Sequence, residues 1–286
     1  MRRWPDRLLV LSTRGAAVAA ASVLALVLGI VLVGAMPALA RGGAGFLTGA
    51  NWSPTTGSFG AWAMIAGSLA TAGLALAIAL PIGFGCGLAS GWILTGAAAS
   101  SLRALIMVLA GIPSVVLGLW GLTTLVPLIA RWHAPGTSLL AAGLVLALML
   151  VPTIALIVDA TLRTVPAEQR VAAAALALGR WSTLRAIAGR ACRDSLATGG
   201  VLAVARALGE TMAVLLVAGN VAALPDGLFS PVRTLTGAMA LEMAYATGEH
   251  RAALFVLAGI AVALVALVLV LLRASGLRPA LGAAHA

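Results

Sequence analysis

The sequence has 286 residues, of which 62% are hydrophobic and 9% are charged, with a net charge of +10 and a mean hydropathy of +1.11. A soluble domain carries about 25% charged residues, so this composition excludes a soluble protein and is typical of a multi-pass protein of the lipid bilayer. All 18 basic residues are Arg, and without Lys the chain is neither an ordinary P-loop ATPase nor a pyridoxal enzyme.

Six segments are apolar enough to cross a bilayer core about 30 Å thick. They lie at residues 15–38, 62–85, 104–128, 138–158, 197–222 and 252–272. The first segment follows a basic start and precedes the Ala38–Ala40 triplet, as a signal peptide would, but its long uncharged run favours an uncleaved anchor. We therefore predict an all-α polytopic fold, in which residues 1–286 form a single transmembrane domain of six helices.

The Arg residues orient this domain. With six spans both termini lie on the same side, which collects 13 of the Arg residues, against 4 on the other side. The positive-inside rule then predicts that both termini are cytoplasmic. Because the Arg residues cluster beside the spans, they also account for the isoelectric point of about 11.7 without a nucleic-acid partner.

The third span contains residues that interrupt helices, namely Gly111, Pro113, Gly118 and Gly121. In a membrane bundle such residues kink helices or let two backbones approach closely.

A long cytoplasmic loop, residues 159–196, follows the fourth span. Its sequence predicts two short helices. The first begins near Pro166 and ends before Gly179, which takes the C′ position. The run Ala172–Leu178 is too apolar for a solvated helix and too short to span a membrane. Two interpretations remain open: a basic loop that only fixes topology, or a docking element that fits a groove in the bundle or on a cytoplasmic partner, which we favour. We expect Asp159 to pair with a loop Arg.

The fifth span holds two ionisable residues, Arg206 and Glu210. Arg206 lies roughly 14 Å deep at 1.5 Å per residue, and Glu210 follows one helical turn later on the same face, so the pair can neutralise itself. The pair is either a structural ion pair that fixes helix rotation, or a part of an anion pathway. In the second case Arg206 binds an oxyanion through its planar guanidinium and Glu210 limits its grip. Thr211 offers a hydroxyl contact, although such residues usually bond to their own backbone.

The last outer segment, between the fifth and sixth spans, is rich in polar side chains. They are Arg233, Glu242, Glu249, His250 and Arg251. They form either a docking surface for an external binding protein or a set of solvated loop charges.

Four stretches in chain order carry a resemblance to a known family. They are GIPSVVLGLWGL (Gly111–Leu122), LVPTIALIVDATLRTVP (Leu150–Pro166), RALGETMAVLLVAGN (Arg206–Asn220) and LFSPVRTLTGAMALEMAYATGEHRAALF (Leu228–Phe255). Together they resemble the PstC-type permeases of bacterial phosphate ABC importers. The resemblance implies the type I importer permease fold, a place in the bacterial inner membrane, and Arg206 as a residue of phosphate passage.

The resemblance also implies partners. These are a sister permease in a heterodimer, two copies of a cytoplasmic ABC ATPase that bind ATP and Mg, and a periplasmic or lipid-anchored phosphate-binding protein. The coupling signature of such permeases begins Glu-Ala-Ala, where this chain has Ala173, Ala174 and Ala175, and continues to a Gly that corresponds to Gly179. If Trp181 anchors the alignment instead, Val171 takes the Glu position.

Three functions follow from these patterns. The first is the permease subunit of an ATP-driven phosphate importer, which binds no cofactor or metal itself. The alternative is a secondary transporter or channel for an inorganic oxyanion, independent of an ATPase. An intramembrane enzyme is disfavoured because the sequence contains no HExxH, no GxSxG and no paired Asp within a span.

Overall fold

The computed structural model describes residues 3–43 and 45–274, and most of them are helical. Met1, Arg2 and residues 275–286 lie outside the described ranges, and with them both chain termini and Arg278. The helices are α1 (Arg3–Gly42), α2 (Gly45–Thr48), α3 (Trp62–Leu88), α4 (Gly96–Gly111), α5 (Ser114–Trp120), α6 (Val126–Ala130), α7 (Leu139–Arg163), α8 (Ala167–Ala175), α9 (Arg180–Thr183), α10 (Gly189–Gly209), α11 (Met212–Val217), α12 (Leu235–Glu242) and α13 (Gly248–Ala274).

Short irregular elements complete the fold. Two strands, β1 (Trp52–Ser53) and β2 (Ser58–Phe59), pair antiparallel, with Trp52 opposite Phe59. Single π-helical turns occur at Ala89–Ile93, Gly121–Leu125 and Leu184–Ala188.

Long apolar helices confirm the all-α membrane fold. Four are long and apolar enough to cross a bilayer: Leu8–Gly42, Trp62–Ile93, Leu139–Arg163 and Gly248–Leu271. A fifth crossing exists if Gly96–Gly111 and Ser114–Ala130, which are bent by 92°, form one span. The count of six stays a prediction, since the remaining segment, 197–222, is not a single helix in the described chain.

The bend in the third span lies where the sequence places Pro113. Ile112 is extended, with φ −69° and ψ 127°, because a residue before proline is disfavoured in the helical region. Helix α4 therefore ends at Gly111, and α5 restarts at Ser114 in a new direction.

The fifth span is interrupted, and our prediction of a continuous helix there is wrong. Helix α10 ends at Gly209 and α11 begins only at Met212. Glycine is the weakest helix former after proline, and the carboxylate of Glu210 accepts a hydrogen bond from the backbone N–H of Ala213 (3.4 Å), which competes with helix continuation. Helix α11 ends in turn where Gly219 (φ 87°) and Asn220 (φ 56°) adopt left-handed conformations.

Helix α7 forms the centre of the bundle, and α3 packs closely against it through small residues. A Cβ atom on Gly83 would lie 2.8 Å from Cβ of Ile154, and one on Gly87 would lie 2.6 Å from Cβ of Val158. Such small residues let two membrane helices approach until their backbones nearly touch. They therefore fix α3 on α7.

The two ends of the bundle differ. At one end, which we call the hairpin end (residues 45–61 and 218–250), the strands pack with α12 and the start of α13 around buried Phe46, Met64 and Leu254. At the other end, which we call the loop end (residues 164–188), α8 and α9 follow α7.

Long helices extend into both ends of the predicted cytoplasmic loop, residues 159–196. Helix α7 continues to Arg163, so Asp159 lies inside it, and residues 189–196 belong to α10. Asp159 remains helical because neighbouring Arg side chains neutralise its charge. The first predicted short helix is confirmed as α8, but the left-handed residue that follows it is Ala177 (φ 50°) and not Gly179.

Candidate functional site

Two helix interruptions meet beside Arg206. A small cavity of about 20 Å³ is lined by Ile112 at the bend of the third span, by Pro152 and Thr153 of α7, and by Arg206 near the end of α10. Arg206 lies three residues before the interruption at Gly209, and its side chain is exposed at the surface of the chain. A permanent positive charge therefore stands between two places where the main chain leaves helical geometry.

The predicted ion pair between Arg206 and Glu210 is absent from the described residues, in which neither residue forms a salt bridge. Because the helix ends at Gly209, Glu210 does not lie one helical turn above Arg206. Its carboxylate instead turns towards α11 and accepts from the N–H of Ala213. The guanidinium is thus left available on the surface.

Thr211 does not join Arg206 either. It is half-buried, and its hydroxyl donates to the carbonyl of Gly209 (3.3 Å). This local bond is the behaviour expected of Thr in a span. A contact of Thr211 with substrate stays a prediction.

A second charged cluster surrounds Asp159 of α7, whose carboxylate is paired at both oxygens. Asp159 is 5% exposed, and Arg103 donates to it from Nε (3.0 Å to Oδ2) and from Nη2 (3.0 Å to Oδ1). Ser90 donates to Oδ1 (2.8 Å), and Nε of Arg163 lies 3.1 Å from Oδ2. The predicted pairing of Asp159 with Arg is confirmed, and the cluster joins the end of α3, α4 and α7.

A third cluster surrounds Glu242 at the hairpin end. Nη1 of Arg233 lies 2.8 Å from Oε1, and Oε2 bonds to Nε2 of His250 (2.7 Å) and accepts from Nε1 of Trp52 (2.9 Å). Phe59 stacks on His250, with ring centroids 5.9 Å apart. Glu242 is only 5% exposed, so the interpretation as solvated loop charges is wrong for this cluster.

Other charges at the hairpin end are exposed. Glu249 forms an ion pair with Arg41, and both side chains are more than half exposed. Arg251 is exposed as well. A docking role for this surface stays a prediction.

An apolar groove of about 570 Å³ opens at the loop end. Its walls come from α8 and from the segment that joins α9 to α10: Gln169, Ala172, Ala173, Leu176, Leu178, Ala186, Ile187 and Ala191. Ala173, Ala174 and Ala175 form the last residues of α8, exposed Gly179 lies between the helices, and Trp181 lies in α9. Of the predicted coupling residues, the groove thus includes Ala173. Leu176 beside it is 73% exposed.

A buried thiol lies close to the loop end, in the first turn of α10. Cys192 is fully buried in α10, and burial raises the pKa of its thiol to about 11. The group is therefore a neutral thiol at neutral pH, so it is not a reactive thiolate. In the described ranges no three His, Cys, Asp or Glu side chains come together as a metal site would require.

Sequence reasoning missed the partners of these groups. The sequence analysis counted Arg103 only among the Arg residues that orient the domain. It gave no role to Ser90 or Trp52. Thr236 lies in a stretch that carried the resemblance, but it received no role. Its hydroxyl donates to the carbonyl of Glu210 (2.9 Å), a contact between residues 26 positions apart. No local pattern in a sequence reveals such a contact.

Comparison with known proteins adds a family. Residues 79–275, from the middle of α3 to the end of α13, match the family described as binding-protein-dependent transport system inner membrane component. A probable ABC transporter permease protein YqgH of Bacillus subtilis is 39% identical over 206 residues, which cover 71% of this chain and 67% of that protein.

Phosphate permeases are similar over more of the chain. The phosphate transport system permease protein PstC of Haemophilus influenzae is 33% identical over 276 residues, which cover 87% of this chain and 86% of the relative. The protein of the same name from Pasteurella multocida is 35% identical over 268 residues, which cover 85% and 82%. Together with the apolar helices, these matches identify the chain as a multi-pass member of the family of inner membrane components of binding-protein-dependent transport systems.

Proposed function

We propose that this chain is the permease subunit of an ATP-driven phosphate importer, that it forms half of the translocation pathway, and that Arg206 meets phosphate there. The observation that carries this proposal is the exposed guanidinium of Arg206, which forms no ion pair within the described part of the chain and lies beside two helix interruptions. The substrate is taken from the PstC relatives, which are phosphate transport system permease proteins.

The exposure of Arg206 implies a covering partner. The neighbouring helices expose apolar side chains, among them Leu105 and Val108 on α4 and Leu119 on α5. A guanidinium facing lipid at the centre of a membrane costs about 2.5–3.5 kcal/mol on insertion scales. A sister permease that closes over this wall would enclose Arg206 in a hydrated pathway between the two subunits.

The chemistry of the site suits an anion in transit. Guanidinium stays charged at every physiological pH and binds two phosphate oxygens at once. A transport site must also release its ion. Glu210 lies just beyond the end of α10, where a rearrangement of the interruption brings its carboxylate towards Arg206 to compete with phosphate.

The two ends of the bundle fit two further partners. The apolar groove at the loop end suits a cytoplasmic ATPase, which in two copies binds ATP and Mg, with Ala173, Ala174, Ala175, Gly179 and Trp181 in the contact region. We place a periplasmic or lipid-anchored phosphate-binding protein at the hairpin end. This orientation puts both termini in the cytoplasm, since α1 runs towards the hairpin end and α13 runs away from it.

The test is phosphate uptake by the complete importer, made of this chain, its sister permease, the ATPase and the binding protein, in proteoliposomes. We expect Arg206→Gln to lower ATP-dependent uptake by about ten- to a hundredfold, which corresponds to the roughly 1.5–3 kcal/mol of hydrogen bonds to a charged group. Arg131→Gln, which removes an exposed Arg directly after α6, is the matched control.

Two outcomes contradict the proposal. Undiminished uptake by an assembled Arg206→Gln importer removes Arg206 from the pathway. Phosphate flux through this chain without ATP or ATPase favours the alternative, a secondary transporter or channel.

A further inference from the structure

Helix α11 is held at both ends by one segment of the chain, residues 232–236. At the C-terminal end of α11, the N–H of Val232 donates to the carbonyl of Ala218 (2.9 Å), and the N–H of Asn220 donates back to the carbonyl of Val232 (3.1 Å). At the N-terminal end, the hydroxyl of Thr236 donates to the carbonyl of Glu210 (2.9 Å). The position of α11 therefore follows that of this segment.

The segment itself is anchored to the hairpin end. Arg233 bonds to the buried Glu242 through Nη1 and to the carbonyl of Asn220 through Nε (2.8 Å). The N–H of Leu235 donates to the hydroxyl of Ser68 on α3 (2.9 Å). The segment that carries Thr236 is thus held in place where it contacts the helix interruption.

A further hydroxyl orients Thr236. Oγ1 of Thr234 accepts from the N–H of Gly237 at the start of α12 (3.1 Å) and lies 3.4 Å from Oγ1 of Thr236. Because the proton of Thr236 is engaged by Glu210, the proton of this contact comes from Thr234. The two hydroxyls form a short chain that ends at Glu210.

The carbonyl of Glu210 lies at the interruption between α10 and α11. In a continuous α-helix this carbonyl would accept the N–H of residue 214, four positions on. Thr211, with φ −118° and ψ −62°, departs from helical geometry mainly in φ. In a continuous helix Glu210 would stand one turn from Arg206 on the same face, where the two charges attract.

We propose that Thr236 is a positioning residue for translocation. Its hydroxyl holds the Glu210 carbonyl out of the helix, keeps the interruption open, and so prevents Glu210 from neutralising Arg206. This inference rests on the proposed function, in which the free guanidinium meets phosphate.

The test combines two substitutions in the complete importer. Thr236→Val keeps the shape of the side chain and removes its hydroxyl. We expect it to lower phosphate uptake about tenfold when Glu210 is present, within the range of typical coupling between sites. In a Glu210→Gln background, where no carboxylate can capture Arg206, the same substitution changes uptake less than about twofold.

Three controls accompany it. Thr236→Ser retains the hydroxyl and keeps uptake near that of the unaltered importer. Thr236→Ala repeats the pattern of Thr236→Val with a smaller side chain. Thr123→Val removes a hydroxyl whose hydrogen bonds, among the described residues, go to the carbonyls of Leu119 and Trp120 about one turn earlier, and it leaves uptake unchanged.

Several results overturn the inference. An equal loss of uptake in both backgrounds means that Thr236 does not act through the Glu210 carboxylate. A Thr236→Val complex that fails to assemble in both backgrounds means the same, because a folding defect is not relieved by removing a charge. Failure of the proposed function gives a different result. In that case Arg206→Gln leaves phosphate uptake unaltered, whether residue 236 is Thr or Val.

Discussion

The charges of this protein fall into two contrasting groups. Asp159 and Glu242 are buried carboxylates, and each is surrounded by at least one Arg and further hydrogen-bond donors. Arg206 and Glu210 lie at a helix interruption, and no ion pair in the described residues involves either of them. The first group joins elements of the bundle, whereas the second leaves its charge open.

This difference has a physical meaning. A buried carboxylate without partners is strongly destabilising, so a cluster that fixes the fold must be complete. A group that binds a passing ion must not be satisfied by its own chain. The contrast predicts that substitutions in the complete clusters lower stability, whereas substitution of Arg206 lowers transport.

The largest expected effect on stability is that of Asp159→Asn. The substitution leaves Arg103 and Arg163 facing each other without their counter-charge. We expect a loss of about 3 kcal/mol, at the lower end of the range for a broken buried pair because Arg163 is half exposed. The measurement is the thermal unfolding midpoint of the purified chain in detergent.

Glu249→Gln is the control for this substitution, since it removes a carboxylate whose ion pair with Arg41 is exposed. Exposed pairs contribute little to stability. Equal midpoints for Asp159→Asn and Glu249→Gln would contradict a structural role for the Asp159 cluster.

Glu242→Gln should have a smaller effect, of about 2 kcal/mol, in the range of hydrogen bonds to charged groups. The amide oxygen of the new Gln can still accept from Trp52. Arg233 then lacks its counter-charge. The same unfolding assay measures this loss, with Arg251→Gln as the exposed control. A loss larger than that of Asp159→Asn would contradict this order of the two clusters.

The sequence predicted the membrane class and the position of most spans, and it offered a kink as one of two roles for the Pro and Gly residues of the third span, because these features depend on local properties. A run of about twenty apolar residues favours a membrane span, and a Pro inside a span changes the backbone conformation of its neighbours; neither effect depends on distant residues. Pro113, for instance, disfavours helical geometry at Ile112 whatever the remaining structure is.

The sequence failed where distant contacts outweigh local ones. The spacing of Arg206 and Glu210 predicted an ion pair on a continuous helix. The carbonyl of Glu210 is instead bonded by Thr236, and its carboxylate turns to Ala213. Likewise the sequence allowed Glu242 to be a solvated loop charge. In the fold, Trp52, Arg233 and His250 surround its carboxylate. Tertiary context overrides helix propensity at such positions.

His250→Ala should cost about 1.5 kcal/mol, since it removes one hydrogen bond to a charged group and the stacking contact with Phe59. His250→Gln should recover part of this loss because its amide can still donate to Glu242. The unfolding midpoints of the two variants measure the difference. Identical midpoints for both would mean that the ring contact, and not the bond to Glu242, carries the effect.

Arg206→Gln should have the smallest effect on stability, within about 0.5 kcal/mol, as for a surface substitution away from any packed or paired group. The guanidinium is exposed and unpaired in the described chain, so its loss breaks no intramolecular bond. Arg206→Gln should therefore leave the unfolding midpoint of the isolated chain unchanged but strongly reduce phosphate uptake by the complete importer. A large drop in the midpoint would place Arg206 with Asp159 and Glu242 among the residues that hold the bundle together, and the distinction between the two groups of charges would then fail.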